Sequence, residues 1–371
     1  MPQLYLGLMS GTSIDGVDVA LVDFCGHHPS LLDCQTFDFP PSLADVLHQL
    51  CAPGVNEIEL MGRADRAVAE VFANASLQLL KDNGVLPEQI TAIGSHGQTI
   101  RHVPLGEHSF SLQIGDPNTL ATLTGIDVIA DFRRKDIALG GQGAPLVPAF
   151  HKAVFTSTTK SRVVINIGGI ANITYLPKCG SDDIIGYDTG PGNTLLDLWC
   201  KLHTGQNYDE KGQWAAQRYA DSELFKLLCS HPYFLLPAPK STGREQFNLP
   251  WLQQALSSIT RHIDPQVVQA TLVMLTTDTI AAQVLQFKDV EQVYICGGGA
   301  QNEFLVEELK SKLKGCELFT TDELGVEADA VESMAFAWLA YAYVNNIQGS
   351  VASVTGATKG AVLGTFCPGR E

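Results

Sequence analysis

Basic residues are scarce in this chain. Its 371 residues include 24 Lys and Arg against 40 Asp and Glu, which gives a formal net charge of −16, and the only basic triplet is Arg133–Lys135. Nucleic-acid binding requires clustered Lys and Arg, so we expect no nucleic-acid partner. A small phosphate ligand is compatible with this charge, because backbone N–H groups and a metal ion can offset it locally.

Cysteine pairs and long apolar runs are also lacking. None of the nine cysteines forms a Cys-x-x-Cys pair, so we expect reduced thiols rather than a disulfide framework or a zinc site. The first residues lack the basic segment of a secretion signal. The longest apolar run, Ala335–Val344, is too short to span a bilayer. We therefore expect a cytoplasmic protein without a membrane partner.

Three common motifs are missing. The chain has no Gly-x-x-x-x-Gly-Lys-Ser/Thr sequence, which excludes a P-loop. It has no Gly-x-Ser-x-Gly sequence, and Ser95 and His96 are sequential neighbours, which argues against a serine hydrolase. The glycine-rich segment Gly297–Asn302 ends in asparagine, so it does not support a dinucleotide-binding fold.

The length and the apolar content predict two domains. Apolar residues make up 45% of the chain and charged residues 17%, which is typical of a globular protein larger than one core usually supports. Period-two patterns predict strands at Leu4–Met9 and Val17–Asp23, three- and four-residue spacing predicts a helix over 57–83, and Ile90–Gly94 is a predicted strand. Strand, helix and strand in succession indicate an α/β fold.

A second hairpin is predicted near residue 160. Strands Arg162–Ile167 and Ile170–Tyr175 flank the turn Gly168-Gly169, as in the first hairpin, so the pattern indicates two related domains. Downstream, Gln292–Cys296 is a predicted strand, and Asp329–Tyr343 is a predicted buried helix.

The turn of the first hairpin has the composition of a phosphate site. Such a site needs converging N–H groups, hydroxyls, and a carboxylate that holds a hydrated metal ion. Glycine and hydroxyl residues lie at Gly11, Thr12, Ser13 and Gly16, and the candidate carboxylates are Asp15 and Asp18. An ordinary hairpin turn is the alternative. The glycine turns at Gly168-Gly169 and Gly297–Gly299 favour the nucleotide interpretation.

Asp188 is the candidate general base. It precedes a Gly-Pro-Gly turn, and phosphoryl transfer needs one carboxylate that accepts a proton from the attacking oxygen. A turn or N-cap aspartate is the alternative. The segment Gly94–Thr99 is predicted to be a loop open to a ligand, although a histidine there is more often structural. The run 131–136 is either a solvated face or a pocket wall.

Seven segments, spread over the chain, closely resemble the anhydro-N-acetylmuramic acid kinases of the sugar kinase/Hsp70/actin superfamily. They are Gly7–Asp18, Ser95–Thr99, Ala130–Arg133, Asn166–Asn172, Asp188–Asn193, Lys240–Glu245 and Glu327–Glu332. The resemblance implies two related actin-like ATPase domains with mixed sheets flanked by helices, and an active site in the interdomain cleft. The expected domains are 1–130, joined by 346–371, and 131–345.

The resemblance also implies a reaction. Such kinases use ATP, Mg²⁺ and water to open the 1,6-anhydro ring and to phosphorylate O6, giving N-acetylmuramic acid 6-phosphate in cell-wall recycling. Asp188 would deprotonate the water, and Asp15 and Asp18 would hold Mg²⁺ through water. The implied nucleotide-binding residues are Gly11, Thr12, Ser13, Ile14, Asp15, Gly16, Val17, Asp18, Gly168, Gly169, Gly297, Gly298 and Gly299. The implied sugar contacts are His96, Asp131 and Glu332, and the implied assembly is a homodimer.

Two alternatives stay open at this point. A conventional hexosamine kinase would use a sugar hydroxyl in place of water. A non-catalytic actin-like nucleotide sensor would lack the base or carry a large interaction insert, whereas Asp188 is present and no such insert is evident.

Overall fold

The computed structural model describes residues 2–11, 14–26, 28–178, 183–238 and 240–370. Thr12 and Ser13, two of the predicted phosphate-binding residues, therefore lie outside the described residues. The chain divides into two compact units. The first unit comprises Met1–Val154 and Gly325–Glu371, and the second comprises Phe155–Leu324.

In its described residues, the first unit contains a seven-stranded mixed sheet. The strands are β1 (Leu4–Ser10), β2 (Gly16–Asp23), β3 (Ser30–Asp38), β4 (Ile90–Val103), β5 (Phe110–Ile114), β6 (Val128–Ala130) and β12 (Thr365–Cys367). Their order is β12-β6-β4-β1-β2-β3, and β5 pairs with β4. β1 runs antiparallel to β2 and parallel to β4. β1 is buried along nearly its whole length, because helices cover both faces of the sheet centre.

The first unit also contains α-helices, most of which contact the sheet. They are α1 (Pro41–Leu50), α2 (Glu57–Asp82), α3 (Pro117–Thr124), α4 (Arg134–Ala138), α5 (Val147–Phe155), which ends at the unit boundary, α11 (Val331–Val344) and α12 (Ala352–Thr355). α2 buries Val68, Phe72 and Leu79 along one face, as its three- and four-residue spacing predicts. α11 contacts β1 and β4 and is buried on nearly all sides.

Two strand glycines let α11 lie directly on the sheet. Gly7 of β1 and Gly94 of β4 are paired neighbours. A Cβ atom at Gly7 would collide with the carbonyl oxygen of Ser333, and one at Gly94 would collide with that of Phe336. Glycine inside a strand often marks such a close backbone approach. The packing of α11 therefore depends on the absence of side chains at these two positions.

The second unit repeats the central topology of the first. Its described strands are β7 (Ser161–Ile167), β8 (Ile170–Leu176), β9 (Ile185–Pro191), β10 (Val290–Cys296) and β11 (Glu317–Thr320). Their order is β11-β10-β7-β8-β9, with β7 parallel to β10 and antiparallel to β8. This matches β6-β4-β1-β2-β3 strand for strand, including the parallel outer pairs β10–β11 and β4–β6. The predicted α/β fold with two related units is confirmed.

Side-chain caps begin most helices of the second unit. The helices are α6 (Asn193–Thr204), α7 (Ser222–Cys229), α8 (Leu249–Ser257), α9 (Pro265–Val284) and α10 (Glu303–Lys312). Asp221, Asn248, Asp264 and Asn302 accept hydrogen bonds from the first-turn N–H groups of α7, α8, α9 and α10, which satisfies donors that lack intrahelical partners.

α9 is the core helix of the second unit. By length and composition it could cross a membrane, and it is the one such helix among the described residues. Its most apolar window is, however, 72% buried inside the protein, as is typical of a core helix. Polar residues such as Gln269 and Asp278 interrupt the sequence of α9, so it contains no uninterrupted apolar run as long as Ala335–Val344.

The observed units have other boundaries than the predicted domains. The chain passes between units at 154/155 and at 324/325, rather than at 130/131 and 345/346. The physical reason for the second shift is that α11 packs on β1 and β4, which assigns it to the first unit.

Two segments predicted as a loop and a turn are strands. Residues 94–99 lie inside β4, where Gln98 pairs with Ser10 and with Ile114. Asp188 lies inside β9, opposite Asn172 of β8, rather than in a turn. Both segments are rich in polar residues and glycine, and these backbones are extended because neighbouring strands pair with them.

Candidate functional site

The first hairpin is held by a polar network below its turn. The Ser10 hydroxyl lies 2.7 Å from the carbonyl oxygen of Gly16 and 2.6 Å from Gln98 Oε1, and Gln98 Nε2 donates to the carbonyl of Gly11. Ile14 has a φ of 60° although it is β-branched and buried. A left-handed conformation is unfavourable for such a residue, and strained backbone of this kind concentrates at functional sites.

Acidic side chains gather beside this turn. Asp15 is exposed and Asp18 is half-buried, and Thr36 Oγ1 donates a 2.6 Å hydrogen bond to Asp18 Oδ1. Burial raises the pKa of Asp18, the hydrogen bond from Thr36 opposes the shift, and the charges of Asp329 and Asp15 add to it. A cation would relieve this repulsion. The described residues contain no group of three direct metal ligands. Asp15 and Asp18 supply carboxylate oxygens, the type of ligand with which Mg²⁺ is held in proteins, usually together with water.

His96 is locked against an arginine in the first unit. Arg133 donates to His96 Nε2 from Nη2 at 2.8 Å and from Nε at 3.2 Å, which leaves the imidazole proton on Nδ1. Burial, and then the charge of Arg133, lower the pKa of His96 to about 3. His96 is therefore neutral at physiological pH and does not transfer protons there.

The run 131–136 is not a solvated face. Burial lowers the pKa of Arg133 to about 10, although the charges of Glu332 and Asp136 oppose the shift. Asp136 is fully buried, and accepts hydrogen bonds from the Gly143 N–H and from Thr355 Oγ1, both at 2.8 Å. Buried charges are retained only where such partners exist. His96, Arg133 and Glu332 thus belong to one electrostatic cluster.

Asp131 lies beside that cluster in an unusual conformation. Its φ is 57°, and its carboxylate lies 3.5 Å from Arg134 Nε. Burial raises the pKa of Asp131, and Arg134 opposes the shift. The structure therefore places two of the predicted sugar contacts, His96 and Glu332, around Arg133, and places Asp131 two residues before it.

In the second unit the predicted glycine turns come together. β7 and β10 are parallel neighbours, so the turns that follow them, Gly168-Gly169 and Gly297–Gly299, lie at one edge of the sheet, where ligands commonly bind. A Cβ atom at Gly297 would collide with Asn166 Oδ1, and its φ of 79° favours glycine.

The same glycine cluster has room for a ligand. The nearest atom to a Cβ at Gly168 would be 3.6 Å away, and the nearest to one at Gly298 would be 3.8 Å away. Backbone is therefore accessible at both turns, as a nucleotide phosphate or ribose requires. Asn193, the first residue of α6, donates through Nδ2 to the carbonyl of Ile167 and so fixes the first turn.

The carboxylate of Asp188 is held through one oxygen. Its Oδ2 accepts hydrogen bonds from the Thr242 N–H at 3.0 Å and from the Ser241 hydroxyl at 3.1 Å. Its Oδ1 accepts none from the part of the chain that the structure describes. The backbone of Asp188 is held as well, because its N–H donates to the Lys240 carbonyl and its carbonyl accepts from the Tyr233 hydroxyl.

The environment of Asp188 suits a base. Burial raises its pKa to about 6, the hydrogen bonds from Thr242 and Ser241 oppose the shift, and the charge of Glu245 adds to it. A general base works best when its pKa lies near the working pH. Asp188 is ionised above pH 6, and Oδ1 is the oxygen left to accept a proton.

The segment 240–245 was not predicted to be functional. It is one of the seven segments that carry the family resemblance, and none of its residues has a predicted role. In the structure this loop supplies three of the groups that hold Asp188. Lys240 anchors it: its Nζ donates to the Tyr233 carbonyl and lies 4.8 Å from the centroid of the Tyr233 ring.

Two units of the same five-strand order, each beginning with an antiparallel strand pair, form a fold of the actin-like ATPase and sugar kinase type. The model of the family described as anhydro-N-acetylmuramic acid kinase matches residues 3–369. The chain belongs to this family.

Curated relatives agree over nearly the whole chain. The anhydro-N-acetylmuramic acid kinase of Shewanella halifaxensis is 52% identical over 364 residues, which are 98% of each chain. That of Shewanella oneidensis is 52% identical over 360 residues, which are 97% of each chain. A solved structure, the activator of the 2-hydroxyisocaproyl-CoA dehydratase from Clostridium difficile with bound ADPNP, is 12% identical, with a TM-score of 0.49 over 92% of this chain and 96% of that one. Likeness at that level does not bear on function.

Proposed function

We propose that this enzyme couples the opening of the 1,6-anhydro ring of anhydro-N-acetylmuramic acid to phosphorylation of its O6 by ATP, giving N-acetylmuramic acid 6-phosphate in cell-wall recycling. Membership of the kinase family over residues 3–369 supports the substrate and the reaction class. The observation that carries the mechanism is Asp188, a half-buried carboxylate with one anchored oxygen and one oxygen that accepts no hydrogen bond from the described residues.

The glycine turns would bind the nucleotide. In the second unit Gly168 and Gly169 would face phosphates, and Gly297, Gly298 and Gly299 would face adenosine, because accessible backbone lies at these turns. In the first unit the turn from Gly11 to Asp18 would bind phosphates, with Thr12 and Ser13 outside the described residues. Asp15 and Asp18 would hold Mg²⁺ through water. Mg²⁺ would supply positive charge that offsets the phosphates.

Asp188 would act on water. Oδ1 takes a proton from the water molecule, and the water oxygen forms a bond to C1 of the sugar. The bond from C1 to O6 breaks, O6 forms a bond to the γ-phosphorus, and ADP leaves with the bridging oxygen. The proton passes from Asp188 to solvent after the reaction. One carboxylate is enough, whereas most glycosidases need two, because the phosphoryl group takes the place of a proton on the leaving oxygen.

The first unit would bind the sugar through His96, Asp131 and Glu332. Two of these are acidic side chains, which accept hydrogen bonds from sugar hydroxyls and from the acetamido N–H. His96 is neutral at the working pH and keeps Arg133 in place. Its contribution would be hydrogen bonding and shape rather than charge.

An isotope experiment tests the coupled reaction. In H₂¹⁸O, with ATP and the anhydro sugar, we expect one ¹⁸O atom at C1 of the product and none in the phosphoryl group, measured by mass spectrometry at early times. The control is unlabelled product incubated alone in H₂¹⁸O, which corrects for slow exchange at the anomeric carbon. Product without ¹⁸O at C1 above that control would contradict the proposal. Faster turnover of free N-acetylhexosamines would favour the conventional hexosamine kinase.

The pH profile gives a second prediction. Because Asp188 must be ionised and its pKa is about 6, kcat should fall with one acidic limb centred near pH 6 rather than near pH 4. Ser241→Ala removes a hydrogen bond that lowers this pKa, so the limb should move to higher pH. Glu245→Gln removes a charge that raises it, so the limb should move to lower pH. The measurement is kcat at saturating substrates from pH 5 to 9.

A matched acidic control separates this effect from a general change in charge. Glu88 is exposed in the first unit, and Glu88→Gln should leave the acidic limb where it is. Shifts of the same sign in the Ser241 and Glu245 variants would show that the limb does not belong to Asp188.

A cytoplasmic homodimer remains part of the proposal. The family resemblance is what supports the dimer. Light scattering coupled to size-exclusion chromatography would test it, with a mass near 40 kDa as the contradicting result.

A further inference from the structure

Arg244 and Thr194 meet over the glycine turn of the second unit. A Cβ atom at Gly169 would lie 2.7 Å from Thr194 Oγ1, 3.2 Å from Arg244 Nη2 and 3.4 Å from Arg244 Nε. The absence of a side chain at Gly169 therefore brings a hydroxyl and a guanidinium to the same face of the turn.

Neither group has a hydrogen-bond partner among the described residues. Thr194 is 6% exposed, and its Oγ1 has no hydrogen-bond partner in the described part of the chain. Leaving a buried hydroxyl without a partner costs about 1–3 kcal/mol, so a ligand is expected to supply one. The guanidinium of Arg244 forms no hydrogen bond or ion pair with the residues that the structure describes. Burial raises the pKa of Asp197 in α6 to about 6, and the charge of Arg244 opposes this shift. Arg244 therefore acts on Asp197 through its charge, without a direct ion pair.

The chemistry of Thr194 and Arg244 favours a ligand that carries anionic oxygens. A guanidinium offers donors only, and its planar fork matches the oxygens of a phosphate. The hydroxyl of Thr194 adds a further donor. Neutral sugar hydroxyls would leave the guanidinium of Arg244 without a direct ion-pair partner among the described residues.

The position of Arg244 indicates which phosphate of the nucleotide it would bind. Thr242 holds the carboxylate of Asp188, and Arg244 follows it by two residues, which span at most about 7 Å. The guanidinium lies over Gly169, three residues before Asn172, which is paired with Asp188, so an anion bound by Arg244 would lie near the proposed base. Of the nucleotide phosphates, the one being transferred is the one that must be near the base.

We propose that Arg244 and Thr194 bind the terminal phosphoryl group of ATP, an inference that rests on the proposed function and assigns residues to it. The segment 240–245 then has two tasks. Ser241 and Thr242 hold the base, and Arg244 holds the group to be transferred. One loop thereby sets the distance between the two reacting partners, which is the geometric requirement for catalysis by proximity.

Equilibrium binding tests this without turnover. By titration calorimetry, Arg244→Ala should weaken binding of a non-hydrolysable ATP analogue by about 10- to 100-fold, because a charge-assisted hydrogen bond is lost, and should change ADP binding by less than about 3-fold. Arg244→Lys should recover part of the affinity. Thr194→Val should weaken the analogue by about 5-fold, and Thr194→Ser, which keeps the hydroxyl, should not.

Arg218 provides the matched control, because it is an exposed arginine of the same unit, and Arg218→Ala should bind the analogue as the wild type does. Circular dichroism verifies that each variant is folded. Equal losses for ADP and the analogue, unchanged affinity in Arg244→Ala, or a wild-type enzyme that does not bind the analogue would each overturn the inference. The proposed reaction is tested separately by the ¹⁸O experiment, so an enzyme that binds the analogue through Arg244 but places no label at C1 contradicts that reaction alone.

Discussion

Asp188→Asn is expected to lower kcat by about 10²–10⁴-fold, the usual contribution of a general base. Asparagine has nearly the same shape, and its amide oxygen can still accept from the Thr242 N–H and the Ser241 hydroxyl. It cannot take a proton from water at neutral pH. The measurement is ADP release at saturating ATP and anhydro sugar, by a coupled assay.

The stability of this variant offers an independent check. Because burial raises the pKa of Asp188 from 3.8 to about 6, the folded state favours its protonated form. The contribution of protonated Asp188 to the free energy of unfolding is fully present below pH 3.8 and is lost as pH rises through about 6. Asp188→Asn should therefore melt no lower than the wild type at pH 8, and its relative stability should decline toward pH 4.

Asp264→Asn is a suitable control for both measurements, because Asp264 caps α9 and asparagine caps equally well. It should retain wild-type kcat. Near-full activity of Asp188→Asn would remove Asp188 from the role of base, whatever its stability.

Gly94→Ala is expected to destabilise the first unit by about 3 kcal/mol or more. Overpacking a core by one methyl group typically costs about 1–3 kcal/mol. Here the colliding atom is the backbone carbonyl oxygen of Phe336, which cannot rotate away as a side chain can. Relief requires α11 to shift off β4. The measurement is the free energy of unfolding by urea, followed by far-UV circular dichroism.

Gly62→Ala is the matched control for that substitution. Gly62 is exposed within α2, and a Cβ there would have no atom within 4 Å. Alanine should therefore stabilise the protein by about 0.5–1 kcal/mol through helix propensity. A Gly94→Ala protein within about 1 kcal/mol of the wild type would contradict the packing of α11 on the sheet.

Local signals predicted much of the fold. Both hairpins and α2 were predicted near their observed bounds, because period-two and helical spacings depend on neighbouring residues alone. The polar parts of β4 and β9, which contain Gly94–Thr99 and Asp188, were not predicted to be strands. Their pairing partners lie far away in sequence, so the extended conformation depends on the sheet rather than on local propensity.

The candidate site was predicted as separate pieces. The glycine turns and Asp188 could be found from composition and motif. The two glycine turns of the second unit are close only because β7 and β10 are neighbours, which strand order decides. The partners of Asp188 come from a loop more than fifty residues downstream. The importance of Arg244 depends on its contact with Gly169, which no local pattern encodes.

The first unit is built from both ends of the chain, and this affects its synthesis. β1 begins at Leu4, whereas α11, which covers it, begins at Val331. At translation rates of 5–20 residues per second, roughly 15–60 s separate the two on the ribosome. The second unit is contiguous and emerges whole during that interval. The face of the first sheet that α11 covers therefore stays uncovered until α11 has been synthesised, and exposed apolar surface of this kind is what makes incompletely folded chains prone to aggregation.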